Sequence, residues 1–231
     1  MSRLLTVDAP WDLPTVYLGS WMDSLVAEAR RIGVQVLSLR GGEVTESNLV
    51  GALDSFQPDY VMLGGHGSPT MFTAANMVPL LEACHNDQML RNTRAYFISC
   101  LTGLQLVPSA VRKGALGAAG FTTEFTWVIS DPYIPDQDPY AKPFERLVVE
   151  PALELLQGKG YRGWYDRLQR VAREEESRWL QSDDPLAAQV VLYLRQNARS
   201  ATFVSATEGM PGFDLKTLVI GGYIIKALLG G

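Results

Sequence analysis

The stretch Tyr60-Val-Met-Leu-Gly-Gly-His66-Gly67-Ser68 decides the reading of this sequence. An apolar run, Tyr60 to Leu63, has the length and composition of a buried strand and stops at glycine. A histidine follows directly. The plan recurs 34 residues later, where the run Ala95 to Ser99 leads into Cys100-Leu-Thr-Gly103. Both side chains then stand at the carboxyl ends of consecutive parallel strands, the edge where open parallel sheets build their sites. Neighbouring strands lie ~4.8 Å apart, so a histidine and a thiol on adjacent strand ends meet across one crevice.

That pairing suits thiol catalysis. A free thiol, with a pKa of ~8.5, is mostly protonated at neutral pH. An imidazole, with a pKa of ~6.5, can take that proton and return one to a leaving amine. The glycines let backbone approach a reacting carbonyl, and the N–H groups of Gly67 and Cys100 are the candidate oxyanion donors. Taken singly, each residue has a blander reading. A buried cysteine is common core filler, and a histidine beside glycines can cap a turn.

Working outward, the first half alternates strands and helices. Leu4–Val7 reads as strand one, and Asp8, Pro10, Asp12 and Pro14 as a loop. Trp21–Ile32 reads as a helix closed by Gly33, and Val34–Leu39 as strand two. Thr45 or Ser47 caps a helix to Phe56, before Pro58. A helix is expected from Ala74 to Leu90, another over Ser109–Lys113 and a strand over Ala115–Phe121. Such alternation predicts an α/β fold with a mostly parallel sheet between helical layers and right-handed crossovers. The composition changes at Asp131. A proline-rich loop, Asp131 to Pro139, gives way to helices over Phe144–Gln157, Tyr161–Gln181 and Pro185–Arg199, the second with Trp164, Leu168, Val171 and Trp179 on one stripe. The expected division is a core over 1–130 and a mainly helical elaboration over 131–231 packed on it.

The whole chain has 231 residues, 47% of them hydrophobic and 19% charged. At ~150 residues per domain that is one domain with elaborations, and the composition excludes a disordered chain. With 20 basic and 25 acidic side chains the net charge is −5 and the pI ≈ 5.1, which argues against nucleic acid as the main partner. Two cysteines make no disulfide framework and point to a reducing, cytoplasmic setting. No signal-peptide pattern opens the chain. The apolar stretch Leu218 to Leu229 is too short to span a bilayer and reads as a terminal core strand or helix, with a membrane-touching or partner-binding tail as the alternative.

The two quoted stretches resemble the clan CD cysteine peptidases, which include caspases, metacaspases, legumain, clostripain, separase and gingipains. The shared pattern is an apolar strand ending in His-Gly and a later one ending in a small residue plus Cys. The run Ser99-Cys-Leu-Thr-Gly103, followed by a helix and Gly114-Ala-Leu-Gly-Ala-Ala-Gly120-Phe, is most similar to the gingipain-like and CHAT branches. The resemblance covers about residues 1–130. It implies a caspase–hemoglobinase three-layer fold, a His66–Cys100 dyad and an oxyanion hole from Gly67 and Cys100, acting on a protein or peptide substrate.

Clan CD enzymes hold the residue before the scissile bond, P1, in a pocket beside the sheet edge. Asp8, Asp12 and Glu124 are the candidate acidic walls and Trp127 an apolar one; an acid there would select Arg or Lys. The plain alternative for each acid is a solvated loop carboxylate. Cys84-His85 is expected inside a helix and lacks a zinc ligand set, so neither metal nor cofactor is expected. Gly41-Gly42 and Gly64-Gly65-His66-Gly67 do not fit phosphate-binding fingerprints. Glu174-Glu175-Glu176 is expected on a solvated helix face. Three functions stay open: a cysteine endopeptidase with basic P1 preference, a thiol hydrolase for small amides or esters, and a non-catalytic assembly protein. The last would join its own copies or a partner through the helical half or the C-terminal tail.

Overall fold

The computed structural model describes residues 2–130, 134–208, 218–220 and 223–225. β1 (Arg3–Asp8) is buried almost throughout and leads into α1 (Leu13–Arg31), which returns the chain to β2 (Gln35–Arg40). α2 (Glu46–Phe56) then crosses to β3 (Tyr60–Gly64). A small antiparallel hairpin, β4 (Met71–Thr73) and β5 (Pro79–Glu82), precedes β6 (Arg94–Ile98). α3 (Leu106–Arg112) connects β6 to β7 (Gly117–Phe121). The second half supplies α4 (Lys142–Leu156), α5 (Gly160–Trp179), α6 (Ala187–Ser200) and β8 (Ala201–Ser205).

The main sheet has six strands in the order β2-β1-β3-β6-β7-β8. The first five run parallel, and β8 pairs antiparallel with β7. Strands covered on both faces must be apolar on both, which is why Tyr60–Leu63 reads as an unbroken hydrophobic run. Side chains still alternate. Tyr60 and Met62 join the core beneath α1, α4, α5 and α6, whereas Val61 and Leu63 join the core beneath α2, α3 and the hairpin. The result is three layers, helices against both faces of one sheet.

Several elements differ from expectation for local reasons. The segment 74–90 is not a helix. Asn76, Met77 and Cys84 take positive φ angles of 55°, 59° and 65°, which no helix tolerates. The Asn86 side chain accepts the Glu82 N–H at 2.7 Å and donates to the Leu80 carbonyl at 3.0 Å, fixing a turn in its place. Cys84 and His85 therefore sit in that turn. α1 begins at Leu13, eight residues before Trp21, because Asp12 caps it and Pro14 is tolerated in a first turn. β8 has no counterpart in the sequence reading, as it follows α6 directly without a turn signal. On α5, Trp164, Leu168, Val171 and Trp179 are all buried, as their stripe predicts. Glu175, however, is buried rather than solvated, held by Arg178 (Nε to Oε2, 2.8 Å) and by Arg146.

Within the apolar C-terminal stretch, β9 (Leu218–Ile220) pairs antiparallel with β10 (Tyr223–Ile225). The remainder of that stretch, and residues 131–133 of the proline-rich loop, lie outside the described residues. No helix among the described residues is long and apolar enough to cross a membrane.

Candidate active site

His66 and Cys100 follow the carboxyl ends of β3 and β6, which are paired with Gly64 opposite Ile98. Both residues line one cavity of about 240 Å³. The sheet register brings both to one edge, and Gly67 lets the turn after β3 approach the Cys100 backbone closely. A Cβ on Gly67 would stand 2.7 Å from the Cys100 carbonyl oxygen and 3.0 Å from Ser99 Cβ, so no side chain fits there. Gly67 also bridges Phe72 in the hairpin, through Thr73 N–H to the His66 carbonyl (3.1 Å) and Ser68 N–H to the Met71 carbonyl (2.9 Å). In that bond pattern Gly67 is the non-hydrogen-bonded member, and its own N–H is left out of the ladder.

The imidazole is fixed from the α1 side. His66 Nε2 lies 2.7 Å from Asp12 Oδ2. Asp12 is the N-cap of α1: its Oδ1 accepts the Thr15 N–H at 3.0 Å and the Thr15 hydroxyl at 2.6 Å. Partial burial works against this carboxylate's charge. The hydrogen bonds from the Thr15 hydroxyl, the Thr15 N–H and His66 outweigh it, holding Asp12 below the usual carboxylate range. Trp11 packs edge-on against the ring, with centroids 5.9 Å apart. With Nε2 tied to a carboxylate, Nδ1 is the nitrogen left to exchange a proton.

The thiol sits in a different environment. Burial pushes the Cys100 pKa above its ordinary value, the Phe125 backbone partly offsets this, and the Glu124 carboxylate adds to the rise. The shift favours the thiol over the thiolate. Its turn is tightly held: the Leu101 N–H reaches the Thr123 carbonyl at 3.0 Å, and the Gly103 N–H reaches the Phe121 carbonyl at 2.9 Å. Leu101 itself adopts φ 63°, an uncommon conformation for a branched residue, beside the nucleophile candidate.

Beyond these two residues the cavity is mainly apolar, walled by Leu18, Ile98, Phe125, Trp127 and Ile129, with Ser99 and Thr126 as its uncharged polar members. The loop after β7 that carries the last three is braced from α1 and from the helical half. Trp127 packs against Trp21 (centroids 5.1 Å) and Phe125 (5.8 Å). Asn197 of α6, fully buried, clasps the loop backbone: its amide donates to the Thr126 carbonyl at 2.7 Å and its oxygen accepts the Thr126 N–H at 3.1 Å. Buried Asp138 accepts the Ser130 N–H at 2.8 Å and the Tyr17 hydroxyl at 2.6 Å.

Of the four pocket candidates, only Trp127 lines this cavity. Asp12 spends both oxygens on Thr15 and His66. Asp8, the last residue of β1, is buried, and Arg40 Nε stands 3.3 Å from its Oδ2. Burial raises its pKa to about 6, opposed by Arg40 and reinforced by Asp23. Glu124 is exposed, and its backbone carbonyl accepts from Gln196 at 3.1 Å. The acidic wall expected from these residues is not formed. Thr15, Asp138 and Asn197 escaped sequence reading, although Asp12-x-x-Thr15 does carry a capping pattern.

No protein-family model matches the chain, and no curated protein matches it. Among solved structures it is similar to gingipain R, described as an Arg-specific cysteine proteinase, at TM-score 0.58 and 12% identity over 88% of this chain and 46% of that one. It also matches an inactive zymogen C11 protease from Parabacteroides distasonis at TM-score 0.40 and 10% identity, over 98% of this chain and 88% of that one. The chain thus spans about half the length of the gingipain chain. With its three layers and mostly parallel six-stranded sheet, the chain has the caspase-like fold of the clan CD cysteine peptidases.

Proposed function

We propose that the chain is a cysteine endopeptidase with Cys100 as nucleophile and His66 as proton carrier. The observation that carries this reading is the single cavity lined by both residues, with His66 Nε2 tied to Asp12. The thiol proton passes to His66 Nδ1 as Sγ attacks the peptide carbonyl carbon. The carbonyl oxygen gains the negative charge and takes hydrogen bonds from the Gly67 and Cys100 N–H groups. The imidazolium then protonates the departing amine nitrogen, the C–N bond breaks, and a thioester remains on Cys100. His66 next takes a proton from water as the water oxygen attacks the thioester carbon; the C–S bond breaks, the acid is released, and the imidazolium returns its proton to Cys100 Sγ. A thiol kept protonated by burial fits this order, in which the imidazole activates sulfur as substrate arrives. In this reading Asn197 and Asp138, from the helical second half, brace the cavity wall.

The test is cleavage of a diverse peptide mixture, followed by mass spectrometry, for wild type beside Cys100→Ala. Cleavage by wild type alone is the expected result. Cleavage by neither would favour a non-catalytic assembly protein on the same fold, and turnover of small esters with peptides intact would favour a small-molecule hydrolase.

A further inference from the structure

We infer that the cavity beside Cys100 selects an apolar P1 side chain of leucine or phenylalanine size; this rests on the peptidase reading above. Among the described residues no carboxylate, lysine or arginine lines it. Its walls are Leu18 from α1, Ile98 from β6 and the loop residues Phe125, Trp127 and Ile129. A P1 arginine or lysine would place its cation against these walls without a counter-charge, and a P1 aspartate would do the same with an anion. Burying a charge without a partner is strongly disfavoured, whereas an apolar side chain gains by leaving water. A volume of about 240 Å³ takes a large aliphatic or single-ring side chain. The wall is braced, too. Asn197 holds both the N–H and the carbonyl of Thr126, and Asp138 holds the Ser130 N–H, while Glu124 of the same loop is exposed and lies outside the lining.

The inference is separable from the peptidase reading by active-site labelling. Wild-type protein is treated with peptidyl chloromethyl ketones that differ only at P1 (Leu, Phe, Arg, Lys or Asp), and the adduct on Cys100 is timed by intact mass. Leucyl and phenylalanyl ketones are expected to react at least ~10-fold faster than the charged three. Arginyl or lysyl reaction as fast or faster overturns the apolar assignment and leaves the peptidase standing. No reaction with any ketone, while iodoacetamide still alkylates Cys100, overturns the peptidase reading and the preference with it. A second variant tests the wall itself. Ile129→Asp puts a carboxylate in the cavity and is expected to shift the arginyl-to-leucyl rate ratio upward by on the order of 10-fold. An unchanged ratio in a variant that still labels overturns the placement of P1 against this wall.

Discussion

The two sides of the cavity are built from opposite materials. His66 stands in a polar frame: Asp12, Thr15 and the opening turn of α1 hold its ring by hydrogen bonds. Cys100 stands in an apolar one, its thiol raised by burial and its neighbours Phe125 and Trp127 clamped by the helical half. In the proposed reading one side manages a proton, and the other excludes water and measures shape. On that reading one cap residue matters to chemistry more than any wall residue, while a wall residue changes selection without touching the proton.

The largest expected effect comes from the polar side. In Asp12→Asn the helix cap survives, because asparagine caps as well as aspartate. The charge facing His66 Nε2 does not survive, and an amide can present N–H where an acceptor is required. Turnover is expected to fall on the order of 10²-fold with the thermal midpoint nearly unchanged. Peptide cleavage rates and a melting curve on the same sample check it. Turnover within about 3-fold of wild type would mean that the imidazole does not depend on this carboxylate, and the contrast between the two sides would lose its polar half.

A second carboxylate, four residues earlier, sharpens the comparison. Asp12 is held below the usual range by hydrogen bonds, whereas Asp8 is raised to about 6 by burial with only Arg40 against it. Below an ordinary value near 3.8, both the folded and the unfolded chain keep the Asp8 proton. As pH rises from about 4 to about 6, the unfolded chain releases it first, so the folded state loses stability across that window. The shift of about two units corresponds to roughly 3 kcal/mol, as an upper bound. Urea unfolding of wild type and Asp8→Asn between pH 4 and 7 is the measurement. Wild type should lose stability relative to the variant as pH rises, and parallel pH profiles would show that Arg40 neutralises the site fully.

Much of this arrangement is legible in the chain. His66 and Cys100 are visible because each ends an apolar run, and a parallel sheet turns equivalent strand ends into neighbours. Trp127 is visible as a bulky residue just after a strand. Asp12 is harder. Pro10, Asp12 and Pro14 look like loop punctuation until Thr15 is seen to complete a capping pair, after which Pro14 belongs to a first helical turn. The segment 74–90 misleads in the other direction, since its turns depend on positive φ at Asn76, Met77 and Cys84 and on the Asn86 side chain. β8 and Asn197 are set by tertiary pairing, with β7 and with the Thr126 peptide, and local sequence carries no signal for either partner.

Asn197 also supplies the gentlest way to test the apolar side. It is fully buried, and both ends of its amide are spent on Thr126. Asn197→Ala leaves the Thr126 N–H and carbonyl without those partners, a loss expected to cost about 1–3 kcal/mol of stability. Neither His66 nor Asp12 touches Asn197, so the proton-handling side stays intact. Iodoacetamide, which needs no P1 pocket, should alkylate Cys100 at close to the wild-type rate. The leucyl-to-arginyl ketone ratio should shrink, because a loop released at Thr126 no longer holds Phe125 and Trp127 in one shape. Asn197→Asp distinguishes lost bracing from lost packing: it keeps the volume and the acceptor for the Thr126 N–H but removes the donor to the carbonyl. An intermediate ratio in that variant would assign the selectivity to the clasp itself, whereas an unaltered ratio in both variants would mean that the aromatic contacts among Trp21, Phe125 and Trp127 hold the wall unaided.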